Sequence, residues 1–195
     1  MDAVELSSDV GLVAMSLLTL NILLGLLLST RYNPLKQWPH RRINIFKFHN
    51  WTGYIALVIS ILHPVLVLFS KTAHFRWIDI LFPIHSPSQP TENTIGAVAL
   101  YLLFVVVATS YFRAKLGIRV WKRFHYVAYA SAAAFFTHGL LTDPNLKNTP
   151  LDPFDAEKVF VEVCLLLVLA GVFLRIRYGL RKRAQKIRIT LNNDV

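Results

Sequence analysis

With a single cysteine, Cys164, the sequence has no internal disulfide, no thiolate cluster and no CxxCH attachment motif. It holds no GxGxxG and no P-loop, so both glycine-rich signatures of nucleotide phosphate binding are missing. Acidic residues are few, 11 against 21 Lys and Arg in 195 positions. Charge of either sign is absent from residues 10–28, 51–70, 94–112 and 124–141, and from 159–174 except for Glu162. Each run is close to the length that a bilayer core requires. A hydrophobic content of 54% and a mean hydropathy of +0.46 exclude an ordinary soluble domain.

Lipid offers no partner to free backbone groups, and the runs lack the alternation of barrel strands. The expectation is therefore an all-α membrane protein: one domain over 1–195, a bundle of five transmembrane helices at about 10–28, 45–70, 94–112, 124–141 and 159–177. The first run follows an acidic leader without a small-residue cleavage pattern, so it reads as a retained helix and not a signal peptide. Prolines punctuate the connections: Pro34 and Pro39 before the second run, Pro83, Pro87 and Pro90 in the long 71–93 connection, and three more in 142–156.

The formal charge of +10 does not read as a nucleic-acid footprint, because the charges alternate by loop. Residues 31–47 hold Arg31, Lys36, Arg41, Arg42 and Lys47; residues 113–123 hold Arg113, Lys115, Arg119, Lys122 and Arg123; the tail from Arg175 holds seven more. The other four, Lys71, Arg76, Lys147 and Lys158, share their side with ten of the eleven acidic residues. This asymmetry puts the N-terminus outside and the C-terminus in the cytoplasm. The basic tail serves first as a topology anchor, with docking of an acidic redox partner as the lesser reading.

Four histidines interrupt the apolar segments. His49 and His63 are fourteen residues apart, His125 and His138 thirteen. An imidazole in hydrocarbon is costly without a partner, and histidine is the commonest metal ligand. At 1.5 Å per residue, the second ring of each pair stands about 21 Å or about 20 Å beyond the first. The second and fourth helices both run outward in this topology, so His49 faces His125 at one level and His63 faces His138 at the other. Each level offers two axial nitrogens to one iron, which points to two stacked hemes held without a covalent link. Bis-histidine ligation leaves no vacant position and favours electron transfer over oxygen binding at the iron.

Rotation fits less well than height. Fourteen residues return to within about 40° of the same helix face, whereas thirteen leave about 140° of mismatch. The fourth helix is expected to bend, loosen a turn or use different rotamers, and Pro64 can distort the second.

Arg119, Lys122 and Arg123 stand just before His125, and Arg41 and Arg42 before His49, where propionates would pair with guanidinium groups; positive-inside anchoring explains the same charges. Lys71, His74 and Arg76 suit a solvated loop face, or outer propionates or an anionic chelate. His40 and His85 read as loop histidines. Trp51, Trp77 and Trp121 fall near membrane boundaries and read as an aromatic belt. Phe135, Phe136 and Tyr54 are packing residues or an aromatic relay. Gly53 and Gly139 relieve crowding beside a porphyrin or serve helix contact. Glu162 stands as a proton route or an interface residue.

The stretch FHNWTGYIALVISILH, 48–63, with Arg41 and Arg42 before it, resembles the first ligand helix of the ferric reductase and NADPH oxidase transmembrane domain. The stretch RVWKRFHYVAYASAAAFFTHG, 119–139, resembles the second, with an arginine and aromatics before its first histidine and a glycine after its last. The resemblance covers roughly residues 40–180. In size the chain is also similar to the heme-binding membrane subunit of a periplasmic methionine sulfoxide reductase. The resemblance implies two b-type hemes, an inner one on His49 and His125 and an outer one on His63 and His138, passing electrons from the cytoplasmic side to an outer acceptor. Family oxidases continue into flavin and nicotinamide domains, which these 195 residues do not contain, so a separate flavoprotein reductase, quinol or a partner chain is the expected donor. The expected setting is a bacterial inner membrane. The alternatives are a quinol- or ascorbate-linked cytochrome b of another bundle type, or a heme-free transporter or zinc-binding scaffold.

Overall fold

The computed structural model describes residues 2–30, 44–143, 146 and 154–193, with side chains as far as residue 185. The readings made for Arg31, Lys36, His40, Arg41 and Arg42, for Pro34 and Pro39, and for most of 142–156 including Lys147 fall outside the described residues. Among the described residues seven α-helices follow one another: α1 (Ala3–Thr30), α2 (Ile45–Val67), α3 (Trp77–Leu81), α4 (Pro90–Tyr111), α5 (Arg113–His125), α6 (Val127–Leu141) and α7 (Ala156–Asn193). A 3-10 turn spans Pro83–His85, and there is no strand among the described residues.

Helix starts follow from local chemistry. α1 begins seven residues before the first charge-free run, with Asp2 and Glu5 at its positive end; the Asp2 carboxylate accepts from the Ala3 amide at 2.6 Å. Asn44 caps α2, its side-chain oxygen accepting from the amides of Phe46 and Lys47 at 3.1 Å each. α2 ends three residues after Pro64, whose ring removes one rung of the helix ladder. α4 opens with Pro90 in its first turn, where a missing N–H costs nothing.

Among the described residues four helices are long and apolar enough to cross a membrane: Ala3–Thr30, Ile45–Val67, Pro90–Tyr111 and Ala156–Gln185. α6 is apolar but has only 15 residues, because the chain changes its winding at Tyr126 and separates it from α5. α5 is amphipathic, carries five basic residues and buries none of its side chains; Gly117, at φ 76°, lets it kink in mid-course. α7 has 38 residues, about 57 Å at 1.5 Å each, and so outruns the expected end near residue 177 by several turns.

α1 lies along α2, α4 lies along α6, and α7 closes against α1 and α6. Small residues allow the approach, with Ala56 fully buried and Ala99 nearly so beside Met15, Phe136 and Val161. Outside this core, Val58, Phe104, Leu166 and Phe173 are exposed, the apolar exterior of a bundle solvated by lipid. α2 and α6 scarcely approach each other directly; they rest on α1, α4 and α7 and face across a slot.

The 71–89 connection is organised. Arg76 and Asp79 pair through Nε–Oδ2 (3.1 Å) and Nη2–Oδ1 (3.2 Å), with the Arg76 amide adding a third bond at 2.9 Å. Buried Gln89 donates from Nε2 to the Asp143 carbonyl (3.1 Å) and accepts from the Asp143 amide (2.8 Å), which ties the start of α4 to the end of α6.

Candidate functional site

Each histidine of α2 is held by α1. His63 Nδ1 donates to the Ser7 carbonyl at 2.7 Å, while Ser7 Oγ donates to the His63 carbonyl at 2.7 Å. His49 Nδ1 donates to the Asn21 carbonyl at 3.1 Å, while the Asn21 side-chain amide donates to the His49 carbonyl and to Thr52 Oγ1. On α6, His138 Nδ1 donates to the Glu92 carbonyl of α4 at 2.8 Å. A backbone carbonyl only accepts, so all three rings carry their proton on Nδ1 and a lone pair on Nε2. This is the tautomer of a metal-ligating histidine whose other nitrogen is anchored to the protein.

His125 is held differently. Its Nδ1 lies 3.4 Å from Ser110 Oγ, which already donates to the Val106 carbonyl at 2.7 Å and accepts from Trp121 Nε1 at 3.2 Å. With its one proton committed, the serine oxygen can only accept from the imidazole. The Trp121 ring lies 4.9 Å from His125, and the Arg113 guanidinium stands 4.3 Å from the Trp121 ring centre. Trp121, expected in a boundary belt, is half-buried against His125.

The four rings come together as two pairs. His49 and His125 have ring centroids 6.2 Å apart with an interplanar angle of 75°; His63 and His138 are 6.3 Å apart at 67°. An imidazole nitrogen sits about 1.1 Å from its ring centre and a metal–imidazole bond is about 2.0 Å, so two axial imidazoles on one ion have centroids about 6.2 Å apart. Both pairs have that separation. Among the described residues no third His, Cys, Asp or Glu joins either pair.

The rotational mismatch is met where α5 gives way to α6. The Tyr129 amide bonds the Tyr126 carbonyl at 3.1 Å, an i to i+3 link. A 3-10 turn winds by about 120° per residue and not 100°, so three residues recover about 60° of the 140° deficit.

A mostly apolar cavity of about 220 Å³ opens at the His63–His138 level, with Gly11, Met15, Gly96, Phe135 and Lys158 among its lining. Lys158 is buried, and its ammonium donates to the carbonyls of Gly139 and Leu140 at 3.0 Å and to that of Thr142. It thereby closes the C-terminal end of α6, one turn beyond His138.

Other candidates fall elsewhere. Arg119, Lys122 and Arg123 are exposed along α5 in the two turns before His125. Gly53 faces the Asn21 side chain and Gly139 faces Met15 and Val161, so both serve helix contact; the glycines against imidazoles are Gly11, Gly25 and Gly96. Phe135 and Phe136 are buried with rings 4.5 Å apart, whereas Tyr54 pairs with exposed Trp51. His74, His85 and Glu162 are exposed.

A helical membrane bundle that presents two facing pairs of anchored imidazoles is the frame of a transmembrane redox component. Residues 10–136, close to two thirds of the chain, match the family described as ferric reductase like transmembrane component, and the chain belongs to that family. It is thus an integral, multi-pass membrane component of electron transfer. His49, His63 and His125 lie within the matched residues, and His138 lies two beyond them. No curated protein and no solved structure matches the chain.

Proposed function

We propose that this chain is a di-heme b-type cytochrome, with His49 and His125 holding one heme and His63 and His138 the other. The observation that carries the reading is the equal separation of the two imidazole pairs, 6.2 and 6.3 Å, each at the span of one shared ion. Heme, when bound, supplies a one-electron couple that needs no vacant coordination position for transfer. The chain's residues do the rest: carbonyls of α1 and α4 fix the tautomer and height of three ligands, and Ser110 and Trp121 fix the fourth. All four rings are half-buried between the helices.

In this reading the whole chain is one membrane domain, residues 124–141, the end of α5 with α6, form a fifth span, and the basic segments, the rest of α5 among them, lie in the cytoplasm. The His49 pair then faces a cytoplasmic donor, a flavoprotein reductase or quinol, and the His63 pair an outer acceptor, in a bacterial inner membrane. Arg119, Lys122 and Arg123, exposed just before His125, are placed to meet propionates or the donor's acidic surface. A zinc scaffold is less well supported, since each pair offers two side-chain ligands where structural zinc takes four.

Proteoliposomes loaded with ferricyanide and given an impermeant reductant outside test the activity. Intact protein should reduce the trapped oxidant, and His63→Ala or His49→Ala should slow this by at least 10-fold. Equal rates in the variants and the unaltered protein would overturn the reading.

A further inference from the structure

The two histidines of α2 meet α1 in the same way, fourteen residues apart. His63 Nδ1 bonds the carbonyl of Ser7, and a Cβ added at Gly11, four residues on, would stand 3.0 Å from that ring. His49 Nδ1 bonds the carbonyl of Asn21, and a Cβ at Gly25, again four residues on, would stand 3.3 Å from its Cε1. Ser7 to Asn21 and Gly11 to Gly25 repeat the step from His49 to His63. α4 has the same arrangement once: His138 bonds the Glu92 carbonyl, and a Cβ at Gly96 would stand 2.9 Å from the ring.

Helix geometry explains the interval of four. Side chains lean toward the N-terminus, so the residue at i+4 covers the carbonyl of residue i. That oxygen already accepts the i+4 amide with one lone pair; a slender hydroxyl reaches the second past a larger i+4 side chain, as Ser7 Oγ does at His63 and Ser131 Oγ at Ala99, but an imidazole ring is bulkier and approaches most freely when the flank is bare. Glycine at i+4 bares it. Gly53 has a related place, four residues after His49, whose carbonyl accepts from the Asn21 side-chain amide, 3.3 Å from a Cβ added there; it opens a carbonyl to an amide and not to a ring, whereas Gly171 faces Leu26 and Leu23, an ordinary helix contact.

We infer that Gly11, Gly25 and Gly96 are positioning residues, each opening one helix carbonyl to one imidazole and so directing that ring's Nε2 toward its partner histidine. α1, which carries none of the four histidines, becomes the ruler that sets both levels of α2. His125 is the exception, resting on the Ser110 hydroxyl at 3.4 Å, with Ala114 four residues on. The effect on ligation rests on the di-heme reading; the effect on the tautomer does not.

The test uses the full chain with Gly25→Ala, Gly11→Ala and Gly96→Ala, and Gly171→Ala as a packing control. In heme-loaded protein, the low-spin resonance and the occupancy of each centre are read separately. Gly25→Ala should displace only the His49–His125 signal, and Gly11→Ala and Gly96→Ala only the His63–His138 signal, with heme affinity there falling about 10- to 100-fold. Gly171→Ala should displace neither. In the full chain expressed without heme, 15N spectra of labelled histidine should show His49 and His63 protonated on Nδ1, with Gly25→Ala disturbing His49 alone. Should the Gly11 and Gly96 variants fail to fold, Gly25→Ala, the least crowded, and the unaltered protein's 15N spectrum still decide. Unchanged centres in Gly25→Ala, equal effects from Gly171→Ala, or an Nε2–H tautomer would overturn the inference. A chain that takes up no heme yet shows the Nδ1–H tautomer and its loss in Gly25→Ala would sink the di-heme reading and leave this one standing.

Discussion

His63 and His138 face each other with ring centroids 6.3 Å apart, and each is anchored to a different helix, His63 to the Ser7 carbonyl of α1 and His138 to the Glu92 carbonyl of α4. The pair is therefore clamped from both sides of the slot. His49 and His125 face each other at 6.2 Å, but only His49 has a backbone anchor. The two levels are equal in span and unequal in support.

Because each pair is self-contained, the centres should be lost one at a time. His138→Ala and His63→Ala should each halve the heme bound per chain and remove the same spectral component. His49→Ala should remove the other. Heme quantified per chain by its pyridine adduct checks this; loss of both hemes from each single variant would show that the levels are not independent.

Lys158 holds three carbonyls at the end of α6, next to the cavity. Lys158→Met leaves those acceptors without their charged donor, a loss of roughly 2–3 kcal/mol. The variant should melt at a lower temperature and have a weakened His63–His138 centre, while the His49–His125 signal stays unchanged. Lys158→Arg should fall between the two. A Lys158→Met protein that melts with the unaltered one would remove the helix-end role.

Ser110 is shared by Trp121 and His125. Ser110→Ala deprives both donors of their acceptor, so the His49–His125 centre should lose heme affinity by about 10-fold, a usual cost of losing a ligand's outer partner. The other centre should be untouched. Arg113→Ala, which removes the cation over the Trp121 ring, should act in the same direction and more weakly. Equal disturbance of both centres would contradict the assignment.

Arg76 beside Asp79, outside the spans, holds that carboxyl below the ordinary carboxylate range, first through the side-chain hydrogen bonds and then through the bond from its backbone amide. A lowered folded-state value means that the contribution is complete above the ordinary aspartate value of about 3.9 and fades as pH falls through the lower folded value. Acid should therefore loosen the 71–89 connection only below that value, and Asp79→Asn should loosen it at neutral pH. Carboxyl 13C titration and amide exchange in this segment check both; an ordinary Asp79 midpoint would contradict the pairing.

Much of the site was legible in the residues, because helix rise is nearly constant and converts thirteen and fourteen residues into matching heights. The facing of His49 with His125 and of His63 with His138 followed from that together with the shared direction of the two helices, read from the Lys and Arg of the loops. The angle was not legible: the 3-10 link at Tyr126 that recovers part of it arises where α5 turns into the bundle, a tertiary event. Nor was the meaning of Gly11 and Gly25, since a glycine four residues after a serine or an asparagine is unremarkable until α1 is seen beside α2. Trp121 was read by its depth, which an interfacial tryptophan and one stacked on a histidine share. Lys158 was counted only as charge, because the carbonyls it meets lie up to nineteen positions away.

The central claim is that each histidine pair shares one heme iron. Counting heme against protein in the purified full-length chain, together with its low-temperature magnetic resonance, tests it most directly. The account predicts two b-type hemes per chain, both low-spin with two imidazole ligands. One heme, a high-spin centre, or colourless folded protein from heme-sufficient cells would contradict it.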